Sequence, residues 1–147
     1  MITGEYVVEK AREWIGTPYR HQHTTKGAGC DCLGLVRGVY REVVGDEPET
    51  PPNYSPSWGE GDRIEVLMTA AGRHLVPVEE WSADNLSVGD VLIFRMQRGM
   101  IAKHCGIVSS DTHMIHAYQG AENVIESALV PYWRTRIVGV FRYPGVE

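Results

Sequence analysis

The sequence predicts an α+β domain, helices first and an antiparallel sheet of about five strands second. Two patterns predict it. The first half carries apolar residues at helical spacing, whereas the second half carries short apolar runs parted by turn residues. With 147 residues, 43% of them apolar, the chain is long enough for one domain with its own core, so residues 1–147 are expected to form a single domain. Segregated helices and strands favour this class over alternating βαβ units.

The elements follow in order. Thr3 can cap a first helix with a stripe of Val7, Ala11, Trp14 and Ile15, which Gly16-Thr17-Pro18 then breaks. Residues 16–31 read as a long loop. Asp31 is a good N-cap for a second helix striped by Cys32, Leu35, Val36, Val39, Tyr40 and Val43, and Gly45 stops it. Pro48, Pro51, Pro52 and Pro56 bar both helix and central strand over residues 46–56, an ordered surface excursion or a docking loop. Asp62 can begin a third helix through Ile64, Leu67, Met68, Ala71 and Leu75. Residues 91–94, 105–108, 114–118, 124–128 and 137–141 then supply the strands.

Bulk properties exclude several functions. The formal charge of −5 and the lack of a Lys/Arg cluster argue against a nucleic-acid partner. No run approaches the eighteen or so apolar residues of a membrane span, and residues 1–6 lack the order of a signal peptide, so the expectation is a soluble chain made in the cytoplasm. Three cysteines, two of them one residue apart, read as free thiols.

Chemistry concentrates at Cys32. Gly27-Ala28-Gly29-Cys30-Asp31 leads into the helix that Cys32 opens, and a thiol on a first turn feels the positive end of the helix dipole. Such placement lowers a cysteine pKa from about 8.5 to roughly 3.5–7.5. A nucleophilic thiol also needs a base and a group that orients the base. Among the six histidines, His104 opens one strand and His116 lies within the next. A turn near Ser110-Asp111-Thr112 would place them directly opposed on one face, with Cβ atoms about 5 Å apart. Packing the Cys32 helix on that same face would complete Cys32, His104 and His116. Taken singly these residues have plainer readings: a small buried hydrophobe, a strand-end histidine and a core histidine. A zinc site from His21, His23, Cys30 and Cys32 would need pairs split by a single residue, which suits tetrahedral chelation poorly, so no metal and no cofactor are expected. Gly34 and Gly38 are expected to let the helix lie tightly on the sheet.

Four segments carry a resemblance to a known family: Gly16-Thr17-Pro18-Tyr19, Asp31-Cys32-Leu33-Gly34-Leu35-Val36, Leu86-Ser87-Val88-Gly89-Asp90-Val91-Leu92, and His104-Cys105-Gly106-Ile107 with Met114-Ile115-His116-Ala117. Together they span most of the chain, which resembles the NlpC-type cell-wall peptidases, enzymes of papain-like fold that cut the peptide stems of peptidoglycan. The Cys-Asp-Cys-Leu-Gly-Leu-Val version and the proline-rich stretch look like the subgroup of phage tails and gene transfer agents. The resemblance implies Cys32 as nucleophile, His104 as general base and His116 as its orienting residue. It also places Tyr19 near the oxyanion, with Asp31 and Tyr19 toward the substrate's free amine. The implied substrate is a stem peptide, cut between γ-D-glutamate and a diamino acid. The implied setting is a tail tip, with tail-tip or baseplate proteins as partners and the target cell's periplasm or wall as the place of action. The alternatives are a catalytically silent tail-tip component and a thiol amidase or acyltransferase on another substrate. Leu33 stands where the family commonly has serine, and Cys30 and Cys105 are additions to the common pattern.

Overall fold

The computed structural model describes residues 2–48, 66–96 and 104–147. Its elements in chain order are α1 (Gly4–Arg12), β1 (Thr24–Thr25), β2 (Gly29–Cys30), α2 (Cys32–Val43), α3 (Val66–His74), β3 (Val76–Pro77), β4 (Val91–Phe94), β5 (His104–Val108), β6 (His113–Tyr118), β7 (Asn123–Ala128), α4 (Pro131–Arg134) and β8 (Ile137–Arg142). The order is α+β, as expected. Thr3 caps α1 by accepting the Tyr6 N–H, and Asp31 caps α2 by accepting the Gly34 N–H. Gly45 ends α2 at φ +139°, a conformation that strongly favours glycine. α3 carries the Leu67, Met68 and Ala71 part of the predicted third helix, while its predicted start at Asp62 and most of the proline-rich stretch lie outside the described residues.

Six strands form one antiparallel sheet in the order β3-β8-β4-β5-β6-β7. The five predicted runs are five of these strands. The sixth, β3, is two exposed residues long and contains Pro77, which suits only an edge. Within the predicted loop 16–31, β1 and β2 make a small hairpin.

Both faces of the sheet are covered. On one side α1 and α2 pack Val7, Ala11, Leu35, Val36 and Val39 against Val91, Ile93, Cys105, Ile107, Ile115, Ala117 and Phe141. On the other, Leu92, Phe94, Val108, Met114 and Val140 meet Leu129 and Trp133. The alternation along β4, with Val91 and Ile93 on one side and Leu92 and Phe94 on the other, is the two-residue period of a strand buried on both faces. The Tyr143 hydroxyl, fully buried, donates to the Val36 carbonyl at 2.8 Å and ties the chain after β8 to α2.

The glycines of α2 do not meet the sheet. A Cβ on Gly34 would lie 1.9 Å from the His23 carbonyl oxygen, and one on Gly38 would lie 2.1 Å from the Trp14 ring. Their bare surfaces admit the 21–24 loop and the Trp14 ring from the turn after α1, which correct the expected sheet contact.

Candidate active site

Cys32 is the first residue of α2, and the loop before it is built to hold that turn. One Asp31 carboxylate oxygen accepts the Gly34 N–H at 2.7 Å, and the other accepts the Gln22 N–H at 2.8 Å. The Thr24 hydroxyl donates to the Gly34 carbonyl at 2.6 Å. Asp31, only 2% exposed, therefore clamps loop and helix together. His21 lies beside it, with Nδ1 3.8 Å from a carboxylate oxygen.

The Cys32 thiol hydrogen-bonds with the side chains of Cys105 and His104. These partners are consecutive in β5, so they leave the strand on opposite faces. Cys105 belongs to the core beneath α2. His104 stands on the far face, its ring 5.6 Å from that of Phe94 and 5.4 Å from that of Trp133. The helix thus does not pack on the histidine face, as the sequence suggested, but on the other, and Cys32 meets His104 where β5 begins.

Three thiols cluster here, and their surroundings separate them. Cys32 is lowered to about 5: the Cys105 S–H stabilises the thiolate, His104 adds a hydrogen bond and charge, and burial and the Asp31 carboxylate oppose them. Cys105 is pushed well above its ordinary value, first because it is the donor to Cys32 and second by burial. Only Cys32 has both a helix N-terminus and an imidazole, so it is the thiol that ionises. Cys30 is raised to about 12 by burial and by the neighbouring negative charges of Asp31 and Cys32. The sequence motifs assign Cys105 no part, yet its side chain is the first cause of the lowered Cys32 value.

His104 Nε2 lies 2.8 Å from His116 Nδ1. The two are not directly opposed. Ile107 pairs with Ile115 and Val108 with Met114, a register that continues to put Gly106 opposite His116. His104 and His116 are therefore diagonal neighbours, a spacing that long or aromatic side chains can bridge. A Cβ on Gly106 would lie 3.2 Å from the His116 Cβ and 3.0 Å from the Met114 sulfur. His116 is fully buried, stacked on Tyr118 at 5.4 Å with its edge relation to Trp133 at 5.1 Å. Burial, reinforced by the nearby His104, lowers its pKa to about 3, so it is neutral at pH 7. Its other ring nitrogen, Nε2, lies 2.9 Å from the Ser127 hydroxyl on β7.

Tyr19 packs against the core that contains Cys32. Burial and then the Cys32 thiolate raise its pKa, which keeps the hydroxyl protonated and able to donate. Its backbone is fixed by the Tyr19 N–H donating to the Glu122 carbonyl at 2.8 Å. Leu33, half-buried, joins the same core. The structure thus gathers Cys32, His104 and His116 into one hydrogen-bonded row, with Tyr19 and Asp31 around Cys32. Among the described residues, no group of three or more His, Cys, Asp or Glu side chains is arranged to hold a metal ion. No helix there is long and apolar enough to cross a membrane.

Comparison with known proteins agrees with this architecture. A model described as the NlpC/P60 family matches residues 16–142. The gamma-DL-glutamyl hydrolase of Bacillus subtilis is 25% identical over 95% of this chain and 29% of its own length. The murein DD-endopeptidase MepH of Escherichia coli is 28% identical over 92% of this chain and 44% of its own. The chain thus spans less than half the length of either relative. Among solved structures, NlpC2 of Trichomonas vaginalis superposes with a TM-score of 0.71 at 18% identity, covering 95% of this chain and 46% of that one.

Proposed function

The chain belongs to the NlpC/P60 family, and we propose that it is a cysteine endopeptidase that hydrolyses the stem peptides of peptidoglycan, with Cys32 as nucleophile, His104 as general base and His116 as the residue that orients His104. The observation that carries this reading is the continuous row from the Cys32 thiol through His104 to a buried, neutral His116. In the proposed reaction the thiolate attacks an amide carbonyl, and the C–N bond breaks as His104 protonates the departing amine. Water, activated by His104, then hydrolyses the thioester and regenerates the thiol. First-turn N–H groups of α2 and the protonated Tyr19 hydroxyl face the developing oxyanion, donors of a kind worth a few kcal/mol. Asp31, the residue before Cys32, is proposed to line the pocket for the free amine of a stem peptide, its carboxylate held in place by the Gly34 and Gln22 N–H groups.

The proposed bond joins γ-D-glutamate to a diamino acid. The name of the Bacillus relative supports its γ-glutamyl side, whereas the name of MepH points to a DD bond. The proposed setting is a phage-like tail tip or gene transfer agent, where tail-tip proteins bring the enzyme to the target cell's wall. The sequence version Cys30-Asp31-Cys32-Leu33-Gly34-Leu35-Val36 and the prolines of residues 46–56 support that setting. Incubation with defined muropeptides followed by mass analysis tests both activity and bond. Cleavage on the carboxyl side of γ-D-glutamate, lost in Cys32→Ala with the fold retained by circular dichroism, is the expected result. Cleavage that survives Cys32→Ala would overturn the assignment, and products cut at the D,D cross-link would move the bond.

A further inference from the structure

The row of polar side chains does not end at the orienting histidine. Across β5, β6 and β7 it runs from His104 to His116 to Ser127, each step a diagonal contact on one face of the sheet. Met114 pairs with Ser127 and His116 with Ile125, which puts the serine one diagonal beyond the histidine, as the histidine is one diagonal beyond His104.

We propose that Ser127 is a positioning residue for the cysteine–histidine chemistry: its hydroxyl accepts the Nε2 proton of His116 and so reserves the His116 Nδ1 lone pair for His104. The inference rests on the reading of Cys32 and His104 as nucleophile and base. A neutral imidazole carries one proton, so one ring nitrogen donates and the other accepts. An isolated neutral His116 could hold that proton on either nitrogen. With the proton on Nδ1, it would point at His104 Nε2 and oppose the doubly protonated His104 that must pair with the Cys32 thiolate. With the proton on Nε2, every contact in the row runs in one direction. His104 Nε2–H donates to His116 Nδ1, and His116 Nε2–H donates to the Ser127 oxygen.

The same arrangement survives the reaction. His104 exchanges only its thiol-facing proton with the leaving amine and with water, so His104 keeps its Nε2 proton and His116 never changes tautomer. A serine suits this place better than a carboxylate. The buried face around His116 holds His104 from β5, Tyr118 from β6, Ser127 from β7 and Trp133 from α4, and no acidic side chain among these contacts. A hydroxyl accepts the proton without bringing a buried charge.

The test compares wild type with Ser127→Ala and Ser127→Thr by three measurements. Imidazole nitrogen and carbon NMR shifts report the tautomer of His116, iodoacetamide alkylation against pH reports the Cys32 thiolate, and muropeptide cleavage reports kcat and KM. In Ser127→Ala the expected results are loss of a pure Nε2–H signature at His116, an alkylation midpoint moved upward, and kcat down roughly tenfold with KM little changed, the scale of one hydrogen bond. Ser127→Thr, which keeps the hydroxyl and suits a strand, should restore all three. A Ser127→Ala protein with an unaltered His116 tautomer and wild-type alkylation profile would overturn the proposal. The first two measurements need no substrate. A wild type that cleaves no muropeptide would therefore count against the proposed function, while the NMR comparison would still decide the role of Ser127.

Discussion

The two faces of the sheet solve different halves of one electrostatic problem. The face under α2 is apolar except for Cys105, and there it lodges a negative charge on Cys32. The opposite face carries His104, His116 and Ser127 among Phe94, Tyr118 and Trp133, and keeps His116 neutral. Charge is held on one side by a helix N-terminus and a thiol donor, while proton positions are held on the other by an aligned row in which His104 leans on the neutral His116 and Ser127. The first two residues of β5 join them, because His104 and Cys105 leave the strand in opposite directions and both reach Cys32. A strand is suited to this, since its side chains alternate by construction.

The sharpest break in that comparison is loss of the one group that serves both faces. His104→Ala removes the hydrogen bond and positive charge beside the thiolate and also removes the proton donor to the leaving amine. Muropeptide cleavage should fall by about 10²–10⁴ in kcat, the usual contribution of general acid–base catalysis. Iodoacetamide alkylation should persist with its midpoint shifted upward, because the helix N-terminus and Cys105 remain. A variant cleaving within a few-fold of wild type would remove His104 from the chemistry.

Which parts of this arrangement are legible in the sequence follows from their range. The strands announce themselves because Val91, Leu92, Ile93 and Phe94, for example, form an apolar run between turn residues, and the proposed nucleophile announces itself through Asp31 and the α2 stripe. Those signals are local. The face on which α2 packs is not local, since a strand buried on both sides has no polar alternation to reveal which face meets which layer. That is why the sequence alone places the helix on the histidine side. Cys105 likewise reads as a spare thiol until its strand is placed under Cys32. Ser127 carries no motif at all: only the β6–β7 register brings it to His116. Gly34 and Gly38 signal close approach correctly, but spacing along a helix does not say whether the sheet, a loop or the turn after α1 does the approaching.

A smaller effect sharpens the thiol side of the comparison. Cys105 is the first cause of the lowered Cys32 value, so replacing it with valine, an apolar residue that suits a strand, is one branch larger and lacks a donor, should raise the Cys32 pKa above about 5. The sign follows directly: a donor stabilises the thiolate, its removal favours the thiol, and the thiolate fraction at mildly acidic pH falls. A weak S–H donor to a charged acceptor corresponds to about one pKa unit. Alkylation rates between pH 4 and 8 should therefore show the midpoint displaced upward in Cys105→Val and held in place in Cys105→Ser, whose hydroxyl still donates. An unmoved midpoint in the valine variant would leave the helix N-terminus and His104 as the supports of the thiolate.

The smallest change probes the imidazole side through packing alone. Gly106 faces His116 across the strand pair, and its missing side chain is what lets two histidines meet on a diagonal. In Gly106→Ala the new methyl would lie 3.0 Å from the Met114 sulfur and 3.2 Å from the His116 Cβ. Met114 has a flexible thioether that can turn aside, whereas His116 is pinned at both nitrogens, by His104 and by Ser127. Relief should come chiefly from the methionine, with a loss of about 1 kcal/mol in urea unfolding from mild overpacking. A displacement of His116 by a few tenths of an ångström would lengthen its 2.8 Å contact with His104. The expected kinetic result is a fall of a few-fold in kcat with the Cys32 alkylation midpoint moved upward less than in Ser127→Ala, because the contact between His116 and His104 is lengthened while both hydrogen bonds of His116 remain. A fall in kcat accompanied by a full upward shift of that midpoint would instead mean that the two faces cannot be perturbed separately, and that the thiolate depends on the histidine row as strongly as on Cys105.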